Sequence, residues 1–293
     1  MFRFKSPQRI VEIGGVKIGG NPSERPPALI GTIFYHGHKI ILDEHKGEFD
    51  RGKAERLIRD VEESSEKTKI PAIIDVMGST PDAIIKYLEF IASVTDLPIA
   101  IDSPSVDVTK VALNYVKNSG LAGRVVYNSL RMESTNCEYQ ALKDAQVKSA
   151  MALLYTSKIL SIDARINALK AIVSKARTFG VENILVDTFV IDVSSLAIAM
   201  RTILTIKSQH GYPCGCAAPN AISVQRKAFK KKFGKKGTDA VELAVNIAPA
   251  ILGSDFLLYG PIEKTKEIFP AAYIIHASYK SMSMMKTPLI ELS

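Results

Sequence analysis

Short apolar segments recur along the whole chain, and most of them are continuous rather than alternating with polar residues. A short continuous apolar run is typical of a strand that is covered on both faces, as in a parallel sheet. The pattern predicts eight strands, at residues 28–35, 72–76, 98–102, 124–129, 150–156, 183–188, 213–218 and 256–260.

The segments between these runs have helical periodicity and recognisable helix ends. Asp50 precedes a segment with apolar residues at helical spacing, so it is a candidate N-cap. Thr80 followed by Pro81 predicts a second helix start. A third helix is expected to begin at a capping Asp163 and to stop at Gly180.

The repeated strand–helix units have no linker between them, which favours one α/β domain over residues 1–293. We predict a closed (β/α)8 TIM barrel, with an open doubly wound sheet as the alternative. Before the first strand, two short apolar pieces flank Gly14 and Gly15 and predict a β-hairpin within residues 1–27. We expect this hairpin to cap the floor of the barrel.

Composition narrows the class of protein further. The chain has 293 residues, of which 46% are hydrophobic, so it can bury a large core. Its 3 cysteines are too few for a disulfide framework, and a cytoplasmic location is therefore expected. There is no apolar core of a signal peptide and no long apolar stretch, so neither secretion nor direct membrane insertion is expected.

The formal net charge of +8 is compatible with an acidic partner or an anionic ligand. A lysine run, QRKAFKKKFGKKG at residues 225–237, concentrates part of this charge. The run could bind phosphate, a polyglutamate tail or an acidic partner protein, or it could be a solvated helix and loop. Because its only aromatic residues are Phe229 and Phe233, too few for a stacking platform, nucleic acid is not an expected partner.

Polar residues stand where five of the predicted strands end. One Asp at such a position is ordinarily a helix cap or turn residue, but the carboxyl ends of the strands also form the active site of a TIM barrel. Carboxylates and amides together suit a flat heterocycle with hydrogen-bond donors and acceptors along one edge. The candidate residues are Asp75, Asp102, Ser103, Asn128, Ser129, Asp187 and, after the seventh strand, Asn220.

Two pairs of residues have the spacing of metal ligands. Cys214 and Cys216 are two apart on one predicted strand, so their side chains point the same way, and His36 and His38 form a similar pair. With a His the cysteine pair could bind zinc, whereas the histidine pair has no Cys or Asp at metal spacing nearby, and no metal site is predicted at either pair. The two cysteines are expected to be small barrel-lining residues.

Several motifs together resemble one family. The segments IDS (101–103), YNS (127–129), VDT (186–188), GYPCGCAAPNA (211–221) and DFLLYGPIE (255–263) resemble the H component of tetrahydromethanopterin S-methyltransferase. The amino-terminal segments GGVKIGG, IFYHGHKI and KGEFD are similar to the same family, so the resemblance covers nearly the whole chain. More distantly, the pattern is similar to methyltetrahydrofolate–corrinoid methyltransferases and to pterin-binding barrels, including dihydropteroate synthase.

The resemblance implies a methyltransferase of one-carbon metabolism, such as methanogenesis, that acts between a reduced pterin and the cobalt of a corrinoid carried by a partner protein. By motif, Asp102, Asn128 and Asp187 match the residues that bind the pterin ring, and Asp75 resembles an acidic strand end nearby. Asn220 matches the catalytic Asn beside the methyl-bearing nitrogen, and Asp187 or water would relay a proton. A homodimer formed through the outer helices is also implied.

The sequence departs from the family pattern at residues 217–219, immediately before Asn220. The methyl carrier therefore remains open between tetrahydromethanopterin and tetrahydrofolate, which includes a tetrahydrofolate-specific enzyme of a non-methanogen. The Lys-x-Gly and Arg-x-His patterns of dihydropteroate synthase are absent from the seventh and eighth strands, so condensation chemistry is not expected. The functional alternative is a non-catalytic barrel protein that docks a corrinoid protein.

Overall fold

The computed structural model describes residues 2–285 and 290–291. Its centre is a closed barrel of eight parallel strands in chain order, each paired with the next and the last paired with the first. The strands are β1 Ala28–Ile33, β2 Ala72–Met77, β3 Ile99–Asp102, β4 Val125–Leu130, β5 Ser149–Leu153, β6 Asn183–Asp187, β7 Cys214–Cys216 and β8 Phe256–Pro261. The predicted TIM barrel is thus confirmed, and the alternative of an open sheet is wrong.

Helices alternate with the strands and surround the barrel. They are α1 Arg51–Thr68, α2 Pro81–Val94, α3 Val106–Ser119, α4 Asn136–Asp144, α5 Ile162–Thr178, α6 Val193–His210, α7 Asn220–Ser223, α8 Arg226–Ile251 and α9 Thr265–Met284. Helices α7 and α8 both follow β7, so this connection has one helix more than the others. No helix among residues 2–285 is long and apolar enough to cross a membrane.

The predicted helix starts are correct at two of three positions. Asp50 accepts a hydrogen bond from the backbone N–H of Lys53 at 3.0 Å, and Thr80 accepts one from Ala83 at 3.1 Å. The prediction that Asp163 caps α5 is wrong, because Ser161 accepts the capping bond instead. Asp163 lies in the first turn, where a carboxylate stabilises the helix dipole.

Several strand ends differ from the sequence prediction. β1 stops at Ile33 rather than at residue 35, because Phe34 has a φ of 61°, which extended backbone does not allow. β7 contains three residues where six were predicted. Two short strand pairs were not predicted, Ile41–Asp43 with Glu48–Phe49 and Phe2–Arg3 with Ile290–Glu291.

The amino-terminal hairpin forms as predicted and covers the floor of the barrel. Its strands, Ile10–Ile13 and Val16–Gly19, pair antiparallel across a turn at Gly14 and Gly15. Both glycines have positive φ, which an L-residue adopts only with strain. The hairpin contributes Val11, Ile13 and Ile18 to the cluster of apolar side chains that fills the barrel interior.

The direction of each side chain follows from the period of two along a strand. An inner layer of apolar residues fills the barrel, and the residues two positions later on the same strands form a second layer nearer the mouth. The inner layer includes Ile30, Ile73, Ala100, Val126, Met151, Leu185 and Phe256. The second layer is largely polar and contains Thr32, Asp75, Asp102, Asn128, Leu153, Asp187 and Leu258.

The two cysteines of β7 do not line the barrel interior, so that prediction is wrong. Cys214 and Cys216 belong to the apolar cluster between the sheet and the helices. Gly215 occupies the inward position instead, where a Cβ atom would lie 2.7 Å from Cδ2 of Phe256. Only a residue without a side chain fits at this inward position, which explains why the register of β7 places Gly215 there.

Candidate active site

A cavity of about 380 Å³ occupies the mouth of the barrel. Its wall contains the second layer of inward side chains together with residues of the loops that follow the strands. All seven residues predicted from the sequence line this cavity, namely Asp75, Asp102, Ser103, Asn128, Ser129, Asp187 and Asn220. The structure therefore brings the whole predicted set together, and the individual roles of these residues stay predictions.

Asp75 is the most enclosed carboxylate of the site and is held by two neighbours. The hydroxyl of Thr32 donates to Oδ2 at 2.8 Å, and the Asn128 amide donates to Oδ1 at 3.2 Å. Burial raises the pKa of Asp75 to about 6, and these two hydrogen bonds limit the rise. Asp75 lies inside β2 rather than at its end, since the strand continues to Met77.

Asp102 is partly buried at the end of β3 and is in register with Asn128 of β4. Burial, and secondly the nearby charge of Asp75, raises the pKa of Asp102 to about 8, while the charge of Arg131 opposes the shift. Because no hydrogen bond donated to the Asp102 carboxylate is found among the described residues, this group is available to a ligand. At neutral pH it can therefore exchange a proton readily.

Asp187 ends β6 and lines the same cavity. It accepts a hydrogen bond from the backbone N–H of Phe189 at 2.8 Å. Burial raises the pKa of Asp187 to about 6, against the effects of this hydrogen bond and of the Arg165 charge. A carboxyl group with a pKa near neutrality can both hold and release a proton during catalysis.

Arg165 fixes the backbone that follows Asp187. It lies on α5 and is fully buried, and its guanidinium donates to the carbonyl oxygens of Thr188, of Phe189 at 3.1 Å and of Ile159 at 2.8 Å. These bonds join the loops after β5 and β6. Arg165 thus positions Asp187 and the Phe189 ring without lining the cavity itself.

Asn128 and Ser129 lie at an irregularity in β4. The register with β5 shifts so that Met151 pairs with Asn128 and Ala152 pairs with Leu130, which leaves Ser129 without a partner. Such a bulge changes the direction of the side chains around it and is frequent beside active sites. It allows two successive residues of one strand, Asn128 and Ser129, to line the same cavity.

Asn220 differs from the other predicted residues because it is exposed and lies beyond the strand. It is the first residue of α7, after residues 217–219, and its backbone N–H donates to the Ala217 carbonyl at 3.1 Å. Its side-chain amide has no hydrogen-bond partner among the described residues. A free amide at the rim of the cavity can therefore bind a ligand as donor or as acceptor.

The cavity also contains residues that the sequence did not indicate. Thr32, Arg131, Leu153, Phe189 and Leu258 all contribute to its wall. Thr32 could have been found from the period of two, since it follows the interior residue Ile30 on β1. Arg131 and Phe189 belong to loops, whose paths the strand pattern does not define.

The chemistry of this wall is that of a hydrogen-bond acceptor site. The lining has three carboxyl groups, Asp75, Asp102 and Asp187, and two amides, and Arg131 is the only cation among the lining residues. No group of three or more potential metal ligands occurs within residues 2–285 and 290–291. The arrangement suits a neutral or cationic heterocycle that presents N–H groups along one edge.

The same chain matches known proteins over nearly its whole length. The family described as Tetrahydromethanopterin S-methyltransferase MtrH subunit matches residues 6–291. The MtrH-type component of tetrahydromethanopterin S-methyltransferase from Methanothermobacter thermautotrophicus is 39% identical over 282 residues, covering 92% of this chain and 91% of that protein. The equivalent component from Methanopyrus kandleri is 37% identical over 290 residues, covering 92% and 90%.

Solved structures show a related fold at low sequence identity. The dihydropteroate synthase of Thermus thermophilus has a TM-score of 0.62 at 13% identity, over 92% of this chain and 99% of that one. That of Xanthomonas albilineans has a TM-score of 0.61 at 14% identity, over 96% and 100%. At these identities the likeness concerns the barrel fold alone.

Proposed function

Because this chain belongs to the MtrH family of tetrahydromethanopterin S-methyltransferase, we propose that it transfers a methyl group between a reduced pterin in the mouth cavity and the cobalt of a corrinoid on a partner protein. The family supports tetrahydromethanopterin as the methyl carrier in preference to tetrahydrofolate. Its members are named as methyltransferase subunits, which supports catalysis over a purely docking role.

The observation that carries this proposal is the set of carboxylates around Asn128. A pterin ring presents a ring N–H and an amino group along one edge, and carboxylates accept from both. We assign Asp102, Asn128 and Asp187 to this edge, with Asp75 holding the Asn128 amide in place through the hydrogen bond of 3.2 Å. Ser103 and Ser129 complete the polar wall beside them.

The chemical difficulty of the reaction is the leaving group, because a tertiary amine releases a methyl group reluctantly. When the methyl leaves the pterin, the nitrogen keeps the electron pair of the broken N–C bond and must gain a proton. The cobalt of the acceptor supplies the electron pair of the new bond. Catalysis therefore needs groups that stabilise the changing charge on the nitrogen.

Two residues of the site fit these needs. The Asn220 amide, free at the rim, would hydrogen-bond the reacting nitrogen as its charge changes. Asp187, whose pKa is about 6, would exchange the proton directly or through water. An interaction that strengthens only in the transition state raises the rate without tightening ground-state binding.

The alternative of a non-catalytic docking protein explains this site less well. Burial raises the pKa of three carboxyl groups that line one cavity, which is a costly arrangement unless a ligand uses it.

We also propose that the protein forms a homodimer. Exposed apolar side chains on α9, such as Tyr273 and Ile274, support association through an outer helix that leaves the mouth free.

The proposal is tested by separating binding from chemistry. We expect Asn220→Ala to slow single-turnover methyl transfer about 10- to 1000-fold, a loss on the order of 1 to 4 kcal/mol, with a far smaller change in pterin affinity. Asp102→Asn should instead weaken pterin binding, because it replaces one acceptor oxygen at the ring edge with an NH2 group that can only donate.

The measurements are titrations with methyltetrahydromethanopterin and methyltetrahydrofolate, followed by single-turnover transfer to a cobalt(I) corrinoid protein. Asn118→Ala is the matched control, since it removes the same side chain from an exposed residue of α3 that lines neither cavity, and it should leave transfer nearly unchanged. Wild-type transfer rates in Asn220→Ala would show that the reacting nitrogen lies elsewhere. Absence of binding for both pterins would refute the proposed function.

A further inference from the structure

A second cavity, of about 600 Å³, lies in the connection after β7. It is formed by α7, by the first turns of α8 and by the part of α8 that follows a break at Gly234. Its lining contains four cationic side chains, one carboxylate and two hydroxyls. The lining residues are Ser223, Val224, Arg226, Lys227, Lys230, Lys235, Thr238 and Asp239.

The shape of this basic cavity is fixed by contacts on either side of the break in α8. Gly234 has φ 69° and ψ −176°, a conformation that strongly favours glycine. The buried hydroxyl of Thr238 donates to the Gly234 carbonyl at 2.8 Å. Arg226, before the break, contacts Glu242, after it, with Nε and Oε1 2.5 Å apart. The two parts of the helix are thus held together around the cavity.

The cations of the basic cavity differ in whether they have an anionic partner. Arg226 is paired with Glu242, and Lys235 is paired with Asp239 at 2.8 Å. Lys227 and Lys230 form no ion pair or hydrogen bond with any residue in the described part of the chain. Two unpaired ammonium groups therefore face a cavity whose lining already has an excess of positive charge.

The basic cavity and the mouth cavity both have a residue of α7 in their walls. Asn220 lines the mouth cavity and Ser223 lines the basic cavity, and both belong to the single turn of α7. Three helical residues advance the chain by only about 5 Å. A ligand whose ring occupies the mouth can therefore reach the basic cavity with a group that extends beyond the ring. The acidic wall of the mouth would repel an anionic group, whereas the basic cavity would attract it.

We propose that the basic cavity binds an anionic group, phosphate or carboxylate, on the tail of the methyl-carrying pterin, with Lys227 and Lys230 as its principal contacts. This inference rests on the proposed function, because it assigns the far end of the same substrate. Reduced pterin carriers bear acidic groups beyond the ring. Lysine ammonium groups bind such oxygens through charge-assisted hydrogen bonds.

The test compares a methylpterin that bears its natural acidic tail with a tail-truncated methylpterin that consists of the reduced ring alone. In the double variant Lys227→Gln/Lys230→Gln we expect affinity for the tailed pterin to fall about tenfold or more. Affinity for the truncated pterin should not change. The matched control is Lys231→Gln/Lys232→Gln, which removes the same charge from neighbouring residues that do not line the cavity, and it should leave both affinities unchanged.

Two outcomes would overturn the inference. Equal loss for both pterins would mean that the lysines affect the ring site rather than the tail, and unchanged affinity for the tailed pterin would mean that the lysines do not touch it. If transfer to the partner protein were slower in the second case, the surface would be assigned to an acidic protein instead. Binding of the truncated pterin to the wild-type protein tests the proposed function independently of these outcomes.

Discussion

At the scale of single residues, Asp102 is held in a site that disfavours its charge. Its pKa is raised to about 8, mainly by burial and then by Asp75. Ionisation of Asp102 is therefore less favourable in the folded protein than in the unfolded chain. The folded state binds more protons than the unfolded state between the ordinary aspartate pKa and about pH 8. Stability should therefore decrease as the pH rises through this range.

We expect Asp102→Asn to stabilise the protein while it weakens substrate binding. The gain in free energy of unfolding should be about 1–3 kcal/mol at pH 9 and should vanish below about pH 3, where the wild-type carboxyl group is protonated in both states. Urea unfolding at several pH values measures the gain. Asp96→Asn, at a fully exposed carboxylate, is the control without this trend. A gain that does not depend on pH would contradict the account.

A second residue-scale feature is the buried ion pair of Lys207 and Asp255 near the barrel floor. The Lys207 ammonium lies 2.5 and 2.6 Å from the two Asp255 oxygens and also donates to the Gly20 carbonyl at 3.3 Å. Asp255 accepts a further bond from the backbone N–H of Cys214 at 2.9 Å. The pair therefore connects α6, the segment after the hairpin, and the strands β7 and β8.

Lys207→Met should destabilise the protein by about 3–5 kcal/mol at neutral pH, because it leaves a buried carboxylate without its partner. Burial already raises the pKa of Asp255 and Lys207 opposes this, so the variant raises the pKa further and the loss should shrink as the pH falls. Denaturant unfolding at pH 5 and pH 8 measures both effects. The double variant with Asp255→Asn should recover part of the loss, and no recovery would show that packing, rather than charge, is responsible.

At the scale of elements, the sequence predicted the strands and helices that follow from local hydrophobic patterns. It missed the features that depend on how distant segments of the chain pack together. The strand bodies follow from the continuous apolar runs, and Asp75, Asn128 and Asp187 were identified because each stands where such a run ends. The orientation of Cys214 and Cys216 was missed because parity along β7 is set by register with its neighbours. Ser161 was missed as a cap because Asp163, two residues later, is also a suitable capping residue.

The positioning residues could not be predicted for a different reason. Arg165 lies on α5, far in sequence from Asp187, and only the packing of α5 against the loop after β6 brings its guanidinium to the Thr188 and Phe189 carbonyls. A lone arginine in an amphipathic helix ordinarily faces solvent. Helical spacing places Arg165 on the same face as Ala168, Leu169 and Ile172, but it does not show which carbonyl groups the guanidinium contacts.

At the scale of the whole molecule, we expect a dimer that uses α9 and leaves the mouth open. Ile274 is 61% exposed on this helix, and Tyr273 beside it is 48% exposed. Light scattering at micromolar concentration should report two copies for the wild type and one for Ile274→Lys. Leu42→Lys, at a 72% exposed residue in another region, is the control and should remain dimeric. A wild-type monomer would contradict the proposed association.

The hairpin at the floor also has a consequence for the order of events in time. Because it closes the amino-terminal end of the barrel, the described part of the chain admits a ligand to the strand ends only from the mouth. A ring seated among those strand ends lies beneath anything that docks above it. Under the proposed function, the methyl carrier would therefore enter before the acceptor protein docks and leave after that protein dissociates, so binding would follow a fixed order.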